Sequence, residues 1–152
     1  MNNGEFEKVI DYTFKNKALL DKALTHSSFC REHAVETRDN NERLEFLGDA
    51  FFDAIISVEL YKRLEKVDEG KLTKTRALIV CEKSLATVAQ KLRIGEYLNM
   101  GKGEEHSGGR HRESILADAV EAVIGAIYLD GGYDEAARFV SSDRRRETKS
   151  AT

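Results

Sequence analysis

Twenty residues, 41 to 60, constrain the fold of this chain more than any other part of it. They read Asn-Glu-Arg-Leu-Glu-Phe-Leu-Gly-Asp-Ala-Phe-Phe-Asp-Ala-Ile-Ile-Ser-Val-Glu-Leu. At roughly 100° per residue, Glu45 and Asp49 fall roughly 60° and 20° from Glu42, so three carboxylates share one stripe of a helix. Leu44, Leu47, Phe51, Ile55 and Val58 cluster on the opposite side, the usual core face of an amphipathic helix. Yet Phe46, Ile56 and Leu60 lie beside the carboxylates themselves. A helix that is apolar nearly all round is a buried one. Carboxylates buried with it need protons, partners or metal.

A second acidic pair stands far along the chain. Within the apolar run from Ser114 to Leu129, Asp118 and Glu121 are three apart and therefore neighbours on a helix. Ser114, Ala122 and Gly125 share their face and are small enough to let another helix approach. The economical arrangement brings the acids of both helices together around divalent cations. Hard oxygen donors of this kind suit Mg²⁺, with Mn²⁺ as a substitute.

The chain has 152 residues, no proline and 34% charged residues. That length supports one domain with a proper core, and the composition is that of an all-α protein. Cys30 and Cys81 have no metal spacing and read as reduced thiols of a cytoplasmic protein. Charges punctuate residues 1 to 30, so no signal peptide is expected, and no apolar stretch reaches the length needed to cross a membrane. The net charge of −3 does not exclude nucleic acid, because metal ions can neutralise catalytic acids while local basic patches meet phosphates.

Helical periodicity covers residues 6–12 and 17–24, and the polar stretch 31–40 leads into the main helix, with Asp39, Asn40 or Asn41 as candidate N-cap. Asp68-Glu69-Gly70 reads as a turn before a basic amphipathic helix from Lys71 to about Cys81. Another helix is expected over 82–92. Residues 95 to 112, rich in glycine and charge, read as a flexible connector. They contain no Walker motif, since no Gly-Lys-Ser or Gly-Lys-Thr ends them. The second acidic helix is expected to stop at Asp130-Gly131-Gly132. A short last helix over 133–140 would complete a domain spanning 1–140, with 141–152 a polar, disordered tail.

Asn41 to Ala50 resembles the signature of the ribonuclease III family. Thr25 to Phe29, Glu69 to Ala77 and Glu113 to Ala122 are similar to further family segments, in the family's order. The resemblance implies an all-α endonuclease domain that cuts double-stranded RNA as a homodimer, leaving 5′-phosphate and 3′-hydroxyl ends with short 3′ overhangs, in RNA processing that includes ribosomal RNA. Carried over to this chain, it implies Glu45, Asp49, Asp118 and Glu121 as metal ligands, Glu42 as a further acid of the catalytic set at the cleft rim, and Phe46 as an apolar plug into the partner subunit. The family's bacterial members usually continue into a double-stranded-RNA-binding domain, which Ser141 to Thr152 does not resemble. A truncated standard enzyme is the expectation.

Each candidate has a plainer reading. Lys71, Lys74 and Arg76 are candidate phosphate contacts, or else a solvated helix face. Lys102, Arg110 and Arg112 are weaker candidates, and the run Arg144-Arg145-Arg146 reads as solubilising. Asp53 reads as structural, His26 as a helix-end hydrogen-bonding residue, and Phe46 has an ordinary core position as its alternative. Rival classes fail within the sequence. A di-iron bundle needs Glu-x-x-His, and none of the four histidines has Glu three residues before it. An HD-type phosphohydrolase needs adjacent His-Asp, which is absent. A nucleotide pyrophosphohydrolase would want Glu-x-x-Asp where Asp118-x-x-Glu121 runs in reverse. The remaining alternative is a cleavage-deficient RNA-binding or scaffold protein of the same fold, whose mark would be loss of one or more acids. All four are present.

Overall fold

The computed structural model describes residues 3–36 and 39–150, the side chains of 143–150 excepted. Its helices are α1 (Asn3–Ile10), α2 (Lys17–Ala23), α3 (Ser27–Glu32), α4 (Glu42–Arg63), α5 (Glu69–Ile79), α6 (Glu82–Lys91), α7 (Lys102–His106), α8 (Glu113–Gly131) and α9 (Tyr133–Ser150). Among the described residues the single β-type pairing is an isolated bridge between Thr25 and Asn99. The all-α expectation holds. No helix of the described residues is long and apolar enough to cross a membrane.

α8 is the central element, which explains its composition. Ile115, Leu116, Val120, Val123, Ile124 and Ile127 are all buried, because α4, α6, α9 and α2 surround it. α4 makes the most extensive of these contacts, and the Phe51 and Tyr128 rings stack 3.6 Å apart along the seam. Two glycines allow the helices to meet backbone to backbone. A Cβ on Gly48 would stand 1.6 Å from the Glu121 carbonyl oxygen, and one on Gly125 would stand 2.4 Å from that of Leu44. α8 ends where the sequence places its stop, at Gly132, whose φ of 90° suits glycine.

The start of α4 is fastened on two sides. The Asn41 amide donates to Thr25 O at 2.9 Å, and its side chain donates to Ala23 O at 3.2 Å. Asn41 occupies the N-cap position, while Asn40 supplies the capping oxygen, accepting from Glu42 N at 2.9 Å. Thr25 is itself bonded to the 99–101 segment. The Asn99 side chain donates to its hydroxyl, and the backbone pairs His26 N–Asn99 O and Asn99 N–Leu24 O flank it at 2.9 and 2.7 Å. The first turn of the acidic helix is thus held in register.

Four expectations need correction. The buried side of α4 is Leu44, Gly48, Phe52, Ile55, Ile56 and Leu60, which includes Ile56 and Leu60 from beside the acidic stripe but not Phe46, whereas Val58 of the expected core face is exposed. Asp68 is no turn residue but the N-cap of α5, accepting from Lys71 N at 3.1 Å, with Glu69 and Gly70 already helical. Residues 95–112 are not a flexible connector. Short turns at Ile94–Glu96 and Gly109–His111 bracket α7, and Arg110 Nη1 binds them together by donating to Gly95 O and Leu98 O, both at 2.8 Å. Finally, α9 runs on as helix to Ser150, beyond the 133–140 expected. Arg, Glu and Lys are good helix formers and propagate a helix already nucleated on the core. The side chains of Arg144 to Arg146 lie outside the described residues.

Candidate metal centre

Glu45, Asp118 and Glu121 each bring one carboxylate oxygen to within 4.8 Å of the others. Glu45 comes from the first turn of α4, and Asp118 and Glu121 come from successive turns of α8. The glycine-mediated approach of the two helices closes the distance between them. Glu121 is 8% exposed, the one charged residue among the buried residues of α8. Glu45 and Asp118 are half-buried. Asp49 is more open but joins the group through a side-chain hydrogen bond to Glu121. A second carboxyl pair, Glu45 with Asp118, is bonded in the same way.

Burial and mutual repulsion raise the proton affinity of these acids. Burial first, then the Asp49 hydrogen bond and the charges of Asp49, Glu45 and Asp118, push Glu121 up to about 9. Burial, followed by the charge and hydrogen bond of Asp118, raises Glu45 to about 7. Burial raises Asp118 as well, against the hydrogen bond from Glu45, which lowers it. Acidic groups crowded this tightly hold protons at neutral pH unless a cation replaces them. The donor set fits a divalent ion. With metal–oxygen bonds of about 2.0–2.1 Å, two oxygens on one ion lie about 3–4 Å apart, a spacing this cluster reaches with small side-chain adjustments.

The remaining sequence candidates divide. Glu42 is exposed, outside the cluster, and close enough for its charge to act on Glu45 and Asp118. Phe46 is 81% exposed, which rules out the core reading. Lys71 and Lys74 are exposed on α5, while Arg76 is half-buried and donates to Ser57 Oγ of α4 at 2.8 Å. Arg110 and Arg112 are occupied inside the 95–112 segment, Arg110 by Glu105 and backbone carbonyls and Arg112 by Glu104 and Ser107. That leaves them poorly placed for phosphates. Asp53 is half-buried and raised by burial and by Asp49, with Arg76 opposing. Sequence reasoning passed over Gly48. Its signal was available, since glycine in the middle of a 22-residue helix is unfavourable by about 1 kcal/mol and needs a packing reason.

The structure is an all-helical domain in which three carboxylates converge between its two most closely packed helices, an arrangement that could hold a divalent metal ion. The family model described as Ribonuclease-III-like matches residues 16–145, and the chain belongs to that family. A curated ribonuclease 3 of Caldanaerobacter subterraneus subsp. tengcongensis is 54% identical over 134 residues, covering 88% of this chain and 58% of the relative. Two solved structures of the nuclease domain of Campylobacter jejuni ribonuclease III superpose closely. One, at 2.2 Å resolution, has a TM-score of 0.88 and 42% identity and covers 96% of this chain and 95% of its own. The other, described for flexibility in a region involved in dimer formation, has a TM-score of 0.87 and 43% identity, covering 93% and 95%. The chain spans 58%, 62% and 49% of the length of three of the curated relatives it matches.

Proposed function

We propose that residues 1–140 form the catalytic domain of a metal-dependent endoribonuclease that cuts double-stranded RNA in cytoplasmic RNA processing, ribosomal RNA included, with 141–152 outside the catalytic unit. Products carry 5′-phosphate and 3′-hydroxyl ends with short 3′ overhangs. The observation that carries this reading is the convergence of Glu45, Asp118 and Glu121, with Asp49 bonded to Glu121. These four residues would hold Mg²⁺, or Mn²⁺ in its place. When bound, such an ion supplies a nucleophilic water at neutral pH and relieves charge on the departing oxygen.

The protein's own contribution is placement. The close α4–α8 packing fixes the acids relative to one another, and the apolar surroundings of Glu121 keep its charge from being screened by water. Glu42 serves the rim of the cleft. Lys71, Lys74 and Arg76 on α5 meet phosphates, and duplex RNA is selected by shape through its shallow minor groove. The catalytic unit is a homodimer. An 81%-exposed Phe46 stands at the rim of a hollow of about 580 Å³ whose lining includes Leu19, Leu44, Leu47 and Leu129, so one patch offers both a plug and a socket, as a two-fold interface requires.

Incubation of the purified chain with long duplex RNA tests the reading. Short 5′-phosphorylated products are expected with Mg²⁺ and none with EDTA. Glu121→Gln is expected to bind the duplex without cutting it. A gel shift with no products in Mg²⁺ would instead identify an RNA-binding module.

A further inference from the structure

The acids of the centre have a chemical gap. Ionised carboxylates only accept hydrogen bonds, so a phosphate brought against them finds no donor among them for its own oxygens. One unassigned side chain close by supplies such a donor. We propose that His26 contacts the substrate at this centre, its Nε2–H donating a hydrogen bond to a phosphate oxygen of the RNA strand held against the acids. The proposal rests on the reading of the chain as a duplex-RNA nuclease.

The ring's tautomer is set by what surrounds it. His26 is the N-cap of α3, and its Nδ1 accepts from the Ser28 backbone N–H at 3.2 Å. The Ser28 hydroxyl lies 2.8 Å from the same nitrogen and accepts from Gly101 N–H at 2.9 Å. Ser28 therefore has its proton free to direct at Nδ1. A nitrogen that receives a backbone N–H carries no hydrogen, so the imidazole proton is on Nε2. Burial also lowers the ring's proton affinity, which favours the neutral, single-donor form.

The opposite edge of the ring is available. Among the described residues the ring's hydrogen bonds are made at Nδ1 and the side chain is half-buried, which leaves Nε2 as the nitrogen for a substrate. The backbone sets the ring beside the start of α4, since the carbonyl of neighbouring Thr25 accepts from Asn41 N at 2.9 Å, one residue before Glu42. The charges of Glu104 and Arg31 act on it most, followed by those of Asp118 and Glu42, and the ring acts in turn on Asp118. The backbone is pinned as well, through the His26 N–Asn99 O bond at 2.9 Å. A fixed donor at the edge of an acceptor-only cluster is what a phosphate oxygen needs there.

Two substitutions separate this role from helix capping. His26→Asn keeps an acceptor near the Nδ1 position, and asparagine is a favoured N-cap, but it removes the Nε2 donor. His26→Gln places an amide donor near the Nε2 position and loses the cap. With duplex RNA and Mg²⁺, His26→Asn is expected to melt with the wild type and to lose about ten- to a hundredfold in kcat/KM, as for one hydrogen bond to a charged group. His26→Gln is expected to melt lower yet to recover most of the cleavage that His26→Asn loses, assayed well below its melting temperature. Wild-type cleavage by His26→Asn overturns the inference, as does loss of cleavage in both variants in proportion to their melting temperatures. Absence of cleavage by the wild type itself overturns the nuclease reading instead.

Discussion

Gly48 is the position where the smallest change should do the most damage. Replacing it with alanine adds one methyl group 1.6 Å from the Glu121 carbonyl oxygen, 2.6 Å from its carbon and 3.0 Å from Gly125 N. All three atoms belong to the backbone of α8, the central helix, so no side chain can swing aside. To restore even a 3.0 Å contact, the helices must separate by about 1.4 Å along the line of the clash, more than the radial gap that forfeits about half of a dispersion contact. Overpacking that side chains absorb costs about 1–3 kcal/mol. A clash of backbone with backbone at the best-packed seam belongs at or above the top of that range, about 3–5 kcal/mol. For a domain of this size about 2–4 °C is lost per kcal/mol, so thermal unfolding followed by circular dichroism should show a fall of about 10 °C. Gly125→Ala, whose Cβ would meet Leu44 O at 2.4 Å, requires a smaller separation and should fall less. Gly103→Ala in α7, with nothing within 4 Å, should match the wild type or rise slightly. A Gly48→Ala melt within about 2 °C of wild type would refute the argued closeness of α4 and α8, and with it the geometry of the acid cluster.

The crowded acids make stability depend on pH in an unusual direction. Glu121 at about 9 and Glu45 at about 7 bind protons more tightly folded than unfolded. Their contribution is fully present below about pH 4.5 and is lost as the pH rises through 7 and 9. In EDTA, Glu121→Gln, which mimics the protonated side chain, should therefore melt higher than wild type at pH 9 and level with it at pH 5, and Mg²⁺ should restore the wild type at pH 9. An equal difference between the two proteins at both pH values would contradict this. Phe46→Asp, at a side chain 81% exposed, should leave the melting temperature of the isolated subunit unchanged and convert a dimer to a monomer by size-exclusion chromatography with light scattering. A variant that stays dimeric excludes Phe46 from the interface.

Much of the site could be read in the sequence because its chemistry follows helical period. Three- and four-residue spacings put Glu42, Glu45 and Asp49 on one stripe, and Asp118 and Glu121 on another, whatever the tertiary fold. The small residues Ala122 and Gly125 beside the second pair announced a close helix contact, and α8 meets α4 there. What period could not give was which side of an almost uniformly apolar helix faces inward. Phe46 and Ile56 both flank the acids, yet one is 81% exposed and the other fully buried, a difference decided by where α8 lies. Residues 95–112 were misread for a different reason. Glycine with charge describes a solvated linker as well as it describes a segment cross-braced by Arg110 and Arg112, and only the three-dimensional positions of Gly95 O, Leu98 O and Glu104 separate the two. α9 outran its apolar pattern because good helix formers need no core to continue a helix. His26 was legible as a helix-end residue, and its Nδ1 does cap α3.

If the acids of α4 and α8 form one divalent-metal site, as proposed above, an ion must bind among them. Crystals of the protein soaked in Mn²⁺ and measured for anomalous scattering test it most directly. The expected result is a peak between Glu45, Asp49, Asp118 and Glu121, about 2.2 Å from their carboxylate oxygens, that disappears when the soak contains EDTA. A cluster left without a peak at saturating Mn²⁺, its carboxyl groups still hydrogen-bonded to one another, would contradict the account.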